Sequence, residues 1–387
     1  MVVIGVDPHK LTHTASALAA GSNEVIASLQ IDASLVGYRS LLRWAKAFPQ
    51  RRWAVENARG LGRHLAQWLL ARGEVVQDVP CTATARVREL SRGGRRKNDV
   101  IDAAAAASVA ALAGEANPVV AEDLTTVLAM LDERRDNVVT QRTRLLNQLH
   151  ALLRDLLPGG AKTDLSAAAA AAVLANVRPV GPVETARKQL CRDVVAEIRG
   201  CDKSVQELTE RITVVLAEHG TRLVEVTGIG PVIAARLLGR TRGAARFPTA
   251  SAFANYAGVA PVEVASAERK RHRLPRGGDR QLNLALHLIA VTQIRMRAST
   301  GRAYYDKKIG EGKTHNEAMR CLKRRLADHV WRIMLADERR AGTGPGGQAG
   351  ATTKSGAAGP TPTASTSERS LPGPATRNPT TTANPAA

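Results

Sequence analysis

At 387 residues the chain is longer than one hydrophobic core normally organises, so two or more domains are expected. Lys and Arg number 55 against 35 Asp and Glu, a formal net charge of +20 that points to a polyanionic partner, nucleic acid first. No apolar run of about eighteen residues and no leader with a cleavage site is seen, which argues against a membrane partner and predicts a soluble protein of the cytoplasm, associated with the nucleoid.

Val2 to Asp7 (VVIGVD) reads as a short buried strand ending on an aspartate, and Glu24–Ile31, Arg52–Glu56 and Glu74–Val79 read as further strands. Gly60–Arg72 reads as a helix between two of them, so the first third predicts an α/β layer with a mixed sheet. Cys81, Cys191, Cys201 and Cys321 are too scattered for a zinc site or a disulfide framework and are expected to be reduced. From Leu124 the pattern changes. Leu124, Leu128, Leu131, Val138, Leu145, Leu149, Leu152 and Leu156 follow steps of four and three, with Arg135 and Arg142 at the two remaining seam positions. Pro158, Gly159 and Gly160 end this helix, and Val194, Ile198, Cys201, Val205, Leu208, Ile212 and Val215 repeat the spacing. The two segments either form a helical hairpin within one subunit or pair subunits.

Thr227–Gly239 (TGIGPVIAARLLG) places Gly228 and Gly230 in a Gly-x-Gly-Pro turn before a helix, a helix-hairpin-helix-like arrangement whose amides can hold a backbone phosphate; a plain tight turn has the same pattern. Leu282–Arg297 and Asn316–Leu335 predict two more helices. Beyond Ala341 the chain is Gly, Pro, Thr, Ala and Ser, a composition that predicts disorder over 342–387.

Four acids carry the chemistry. Asp7 closes the first strand, Glu56 ends a later one, and Asp99 and Asp102 share one face at the start of a helix. In a sheet whose first and fourth strands are neighbours these carboxylates converge and repel one another unless divalent cations neutralise them. Two Mg²⁺ ions, with Mn²⁺ as a substitute, fit that need and the metal-assisted chemistry of phosphate esters. Taken singly, Asp99 is equally a helix N-terminal charge and Glu56 a surface acid. The stretch before them is basic: Arg86, Arg88, Arg92, then Arg95, Arg96 and Lys97, able to guide a phosphate backbone toward the acids. A second basic stretch, Arg269, Lys270, Arg271, His272, Arg273, Arg276 and Arg280, follows Ser266 and reads as a cationic loop. Ser266 is then either a nucleophile in a phosphate-binding setting or a cap or loop residue of a DNA-contacting patch. Gln281 and Asn283, which begin the next helix, are candidates for nucleic-acid contact, and aromatics are too few, at 3%, for a platform that stacks single-stranded bases.

The opening GVDPHK, the AVENARG strand and the KNDVIDA helix start resemble the RuvC-like (ribonuclease-H-like) domain of the DEDD transposases, the insertion-sequence one-ten family. VTGIGPVIAARLLG, FANYAGVAP and ASAERKRHRLPRGGDRQLNLALHLIA resemble that family's second domain in order and spacing, so the resemblance spans roughly residues 1 to 335. It implies that Asp7, Glu56, Asp99 and Asp102 are the catalytic, metal-binding tetrad and Ser266 the catalytic serine, although Ala267 stands where the family usually has glycine. It further implies a serine-linked DNA intermediate, a structured guide RNA from the element and a homo-oligomer, dimer or tetramer. The expected layout is a RuvC-like α/β domain at 1–115, a coiled-coil-like helical arm at 116–222, a mostly helical transposase domain at 223–340 and a tail at 341–387. On the residues alone, a hydrolytic nuclease for branched DNA and a non-catalytic nucleic-acid-binding protein remain alternatives.

Overall fold

The computed structural model describes residues 1–19, 21, 24–90, 98–112, 117–266, 269–273 and 277–342, with backbone only at 262–266 and 269–273. Strands β1 (Val2–Pro8), β2 (Thr12–Ala19) and β3 (Val25–Asp32) form an antiparallel meander; helix α1 (Leu35–Ala45) then leads to β4 (Arg51–Glu56), parallel to β1. Helix α2 (Arg63–Leu70), shorter than the Gly60–Arg72 expected, leads to β5 (Val76–Val79), parallel to β4. Helices α3 (Cys81–Leu90) and α4 (Asp99–Ala111) follow, and the two-residue β6 (Asn117–Pro118) closes the six-stranded order β3-β2-β1-β4-β5-β6. This is a mixed α/β sheet, as the spacing and the resemblance both predict.

Both faces of the sheet are covered. Ile4 and Val6 of β1 join Tyr38, Leu41, Leu65 and Leu69 on the α1/α2 side, while Val3 joins Ala106, Ala107 and Ala110 of α4 on the other. Side chains alternate along a strand, so Asp7 faces α4 together with Val3 and Gly5; on β4, Ala54 and Glu56 share that side. Gly5 makes the α4 contact possible, since a Cβ there would lie 1.8 Å from the Ala103 carbonyl oxygen. The alanine face of α4 therefore lies directly on β1. Ser16 of β2 fixes the start of that helix by donating to the Val100 carbonyl (3.0 Å), and Asn98 caps it through the Val100 amide (2.9 Å).

The rest of the described chain is helical apart from one hairpin. Helix α5 (Leu124–Leu156) packs along α7 (Gly181–His219), with α6 (Ala167–Asn176) beside α7. Leu128, Leu131, Val138, Leu145 and Leu149 are buried, as are Val194, Ile198, Cys201, Leu208 and Ile212 of α7. The seam thus closes within the chain. Arg135 and Arg142 meet polar partners on α7, Arg135 donating to Thr209 Oγ1 (3.0 Å) and Arg142 pairing with Asp202. A 3-10 turn (Leu223–Glu225) precedes α8 (Pro231–Thr241), α9 (Ala250–Tyr256), the antiparallel hairpin β7 (Val262–Ser266) and β8 (Arg269–Arg273), then α10 (Arg280–Arg295), α11 (Thr300–Gly310) and α12 (His315–Gly342). One apolar cluster runs from Leu128 in α5 to Met334 in α12. Met1–Arg340 form one compact unit and Ala341–Ala387 another, whose residues 343–387, expected to be disordered, lie outside the described set. No described helix is long and apolar enough to cross a membrane.

Candidate catalytic carboxylate site

The parallel strands β1 and β4 end together, with Val6 opposite Val55, so that Asp7 and Glu56 emerge one residue beyond on the side covered by α4. The chain must leave β4 sharply there, and Asn57 does so at φ +48°, a left-handed conformation that asparagine tolerates better than most side chains. Asp99 and Asp102 occupy the first turn of α4. The four acids therefore come from the strand ends and from one helix start.

Asp7, His9 and Asp99 each offer an oxygen or nitrogen within 4.8 Å of the others, with Asp7 Oδ2 3.7 Å from His9 Nδ1. The other two acids have protein partners. Asp102, buried, accepts from Arg88 Nη1 of α3 at 2.7 Å, and Glu56 accepts from the Cys81 thiol. Burial, opposed by His9 and reinforced by the charges of Glu56, Asp102 and Asp99, pushes the Asp7 carboxyl up to about 6. Burial also raises Glu56, with the Cys81 hydrogen bond opposing it and Asp102 adding to it. Two carboxylates and an imidazole within 4.8 Å of one another, one of the acids held above its ordinary range, make a donor set suited to a divalent cation, and carboxylate oxygens favour Mg²⁺ or Mn²⁺. His9 was not among the residues singled out from the sequence; its signal was position, two residues past Asp7 across Pro8 in GVDPHK. Arg88, expected to guide a phosphate, donates to Asp102 here.

Ser266 lies elsewhere, at the end of β7, where its Cα pairs with that of Arg269. The expected cationic loop is instead a strand over Arg269, Lys270, Arg271, His272 and Arg273. Val262 and Val264 alternate on the partner strand, and the pairing overrides the weak β preference of the basic run. Side chains in this hairpin, together with 267–268 and 274–276 and hence Arg276, lie outside the described residues, as do Arg95, Arg96 and Lys97.

A model of the DEDD transposases of the IS110 type, described as "Transposase", matches residues 4–158, and a second, "Transposase IS116/IS110/IS902 family", matches residues 220–306. The chain belongs to this transposase family. It is 26% identical over 382 residues to the insertion element IS116 44.8 kDa protein of Streptomyces clavuligerus, covering 87% of this chain and 95% of that one. It is 29% identical over 337 residues to the IS900 42 kDa protein of Mycobacterium paratuberculosis, covering 74% and 82%. Among solved structures, Thermus thermophilus RuvC aligns at 16% identity over 31% of this chain and all of that one, with a TM-score of 0.25; its complex with a Holliday junction substrate aligns at 0.24.

Elsewhere in this transposase the Gly228–Gly230 turn has an internal explanation. Gly228, at φ +88°, packs on Ile289 and Thr292 of α10, and Gln293 donates to the Thr227 carbonyl at 2.7 Å; Gly230 begins α8 with open space beside it. Arg280 is exposed at the start of α10. Asn283 of the transposase is occupied structurally, its amide donating to the Gly258 carbonyl (2.7 Å) and accepting from Lys323. That use tethers the base of the β7–β8 hairpin to α10 and α12.

Proposed function

We propose that the protein moves an insertion sequence by phosphoryl transfer, cutting and rejoining DNA through a covalent bond between Ser266 and the DNA. The single observation that carries this reading is the clustering of Asp7, Asp99 and His9 beside Glu56 and Asp102, a concentration of acids with no evident benefit to stability. Asp7, Asp99 and His9 would hold a divalent cation, Glu56 and Asp102 completing the acidic surround. When bound, it supplies the positive charge that lets an anionic phosphate approach these carboxylates.

The chain's own groups do the rest. Ser266 Oγ loses its proton and forms a new P–O bond as the sugar oxygen leaves and takes up a proton, so the ester keeps the bond energy needed to rejoin strands. The basic residues from Arg269 to Arg280, with Arg95, Arg96 and Lys97, would hold the DNA backbone by charge. A structured RNA from the element would direct which DNA is joined. The acids and the serine belong to separate working parts, the α/β layer of 1–115 and the transposase domain of 223–340, and association of two or four copies would bring one copy's serine to another's acids.

The test is reaction of the purified protein with DNA of the element junction and the adjoining noncoding RNA in Mg²⁺, comparing wild type, Ser266→Ala and Asp102→Ala on denaturing gels. A protein-linked DNA species that requires both residues is expected. Free cleaved ends that survive Ser266→Ala would replace the serine ester with hydrolysis by water.

A further inference from the structure

We infer that Arg242, with Arg246, Arg59 and Arg63, forms a binding site for a nucleic-acid backbone phosphate between the edge of the α/β layer and the end of α8. The inference rests on the transposase reading for its partner but not for its chemistry. Arg59 and Arg63 arrive from the turn after β4 and the start of α2; Arg242 and Arg246 follow α8, more than 170 residues later in the chain. All four line one cavity of about 250 Å³, closed on another side by residues 117–123.

The two acids that line this cavity, Glu122 and Asp123, are already engaged, and Asp78 close by, whose carboxyl Arg242 also attracts, is held by Arg59 and a backbone amide. Asp78 pairs with Arg59 (3.2 Å) and accepts from the Ala58 amide (2.8 Å); Glu122 pairs with Arg63 (2.6 Å); Asp123 caps α5 through Thr125. Arg246 lies over the rings of Phe247 and Tyr256, 4.4 and 4.6 Å from their centroids. Arg242 is left, half-buried, its guanidinium without a hydrogen-bond or ion-pair partner among the described residues. Burial and the like charges of Arg63, Arg59 and Arg246 hold it below the usual arginine range. A half-buried, forked cation among like charges is poorly placed for stability alone and well placed for a phosphate, which accepts two parallel N–H bonds.

Its backbone points the same way. Arg242 caps α8 at φ +50°, a position where glycine is the ordinary choice and where a long side chain is retained against local strain. Glycine follows at 243, so the chain had the turn residue to hand.

Arg242→Gly isolates the guanidinium, because glycine suits that backbone better than arginine does. Full-length wild type and variant would be titrated in EDTA against two labelled probes, a duplex of the element's end and the adjoining noncoding RNA, across a salt series. The expected result is an unchanged or higher Tm, binding weakened roughly three- to tenfold at about 0.1 M salt, and a slope of log K against log salt smaller by about 0.9 on duplex or about 0.7 on single-stranded RNA. The probe that loses slope identifies whether DNA or RNA supplies the phosphate. Arg242→Lys, which keeps the charge but not the fork, should keep the slope and lose part of the affinity. Slopes and affinities unchanged on both probes would overturn the site. If Arg242→Gly lowers Tm, Arg246→Gln, at an exposed position, carries the same test. Measurement without a divalent cation keeps this outcome separate from failure of the serine chemistry.

Discussion

Two clusters of charge among the described residues are built on opposite plans. At the crossing of α5 and α8, Arg236 is buried and donates to both oxygens of Asp132 (2.8 and 2.9 Å) and to Asp136. Burial works against its charge, but Asp132 and Asp136 outweigh it and hold the guanidinium above the usual range. Gly239 lets the two helices touch there, a Cβ at that position falling 2.7 Å from Ala129 Cα. At the ends of β1 and β4, by contrast, acids gather on acids and Asp7 resists ionisation. Charges that satisfy one another hold the fold together, whereas charges left unbalanced mark where something from outside is to be bound.

The contrast breaks most readily at its matched side. Arg236→Ala leaves Asp132 buried and without its cation, and should cost about 3–5 kcal/mol of stability, read as a fall in the urea midpoint at unchanged m-value. A loss below about 1 kcal/mol would mean that the network is solvated in solution, and the distinction between the two clusters would fail.

The unmatched side predicts a stabilisation that depends on pH. Asp7 holds its proton to about 6 in the fold, against 3.8 for the ordinary side chain. Between these values the native state keeps a proton that the unfolded chain has released, so stability present below 3.8 is lost as pH rises through 6. In EDTA, Asp7→Asn should therefore match wild type near pH 4 and exceed it at pH 8 by up to about 3 kcal/mol. Added Mg²⁺ should then stabilise wild type and not the variant. Equal stability of the two proteins at pH 8 would show that the carboxylates do not strain the fold.

How much of this was legible depended on whether a feature was local. The strand VVIGVD, the helix start at Asp99 and the heptad seams stand out because apolar spacing alone reports them. Strand β2 (THTASALA) escaped, since it buries polar groups that draw on distant partners: His13 Nε2 on Tyr38, Ser16 on the Val100 carbonyl. Helix α11 escaped for want of an apolar face, with Gly301 its one buried residue. The basic strand β8 shows its structure only through its pairing with β7. At the carboxylate site the acids were visible one by one, but the Arg88 and Cys81 contacts depend on how α3 packs, and His9 on the turn after β1. Glu56 and Asp102 thus differ from Asp7 and Asp99 in a way no spacing could reveal.

A third arrangement tests the comparison from its weak end. Arg142 and Asp202 are matched like Arg236 and Asp132, yet both are substantially exposed, at 31% and 45%. Water already solvates them, so pairing should add only about 0–1 kcal/mol, and Arg142→Ala should fall within that range at physiological salt. Arg142→Leu is the sharper substitution. It restores an apolar residue to a seam lined by Val138, Leu145 and Cys201, and a gain of about 0.5–1 kcal/mol is expected if α5 and α7 pair within one subunit as they do here. Because that pairing is internal, the gain in Tm of Arg142→Leu over wild type should be independent of protein concentration. A gain that changes with concentration would place the seam between subunits instead, and Arg142 would then owe its position to the choice of partner helix.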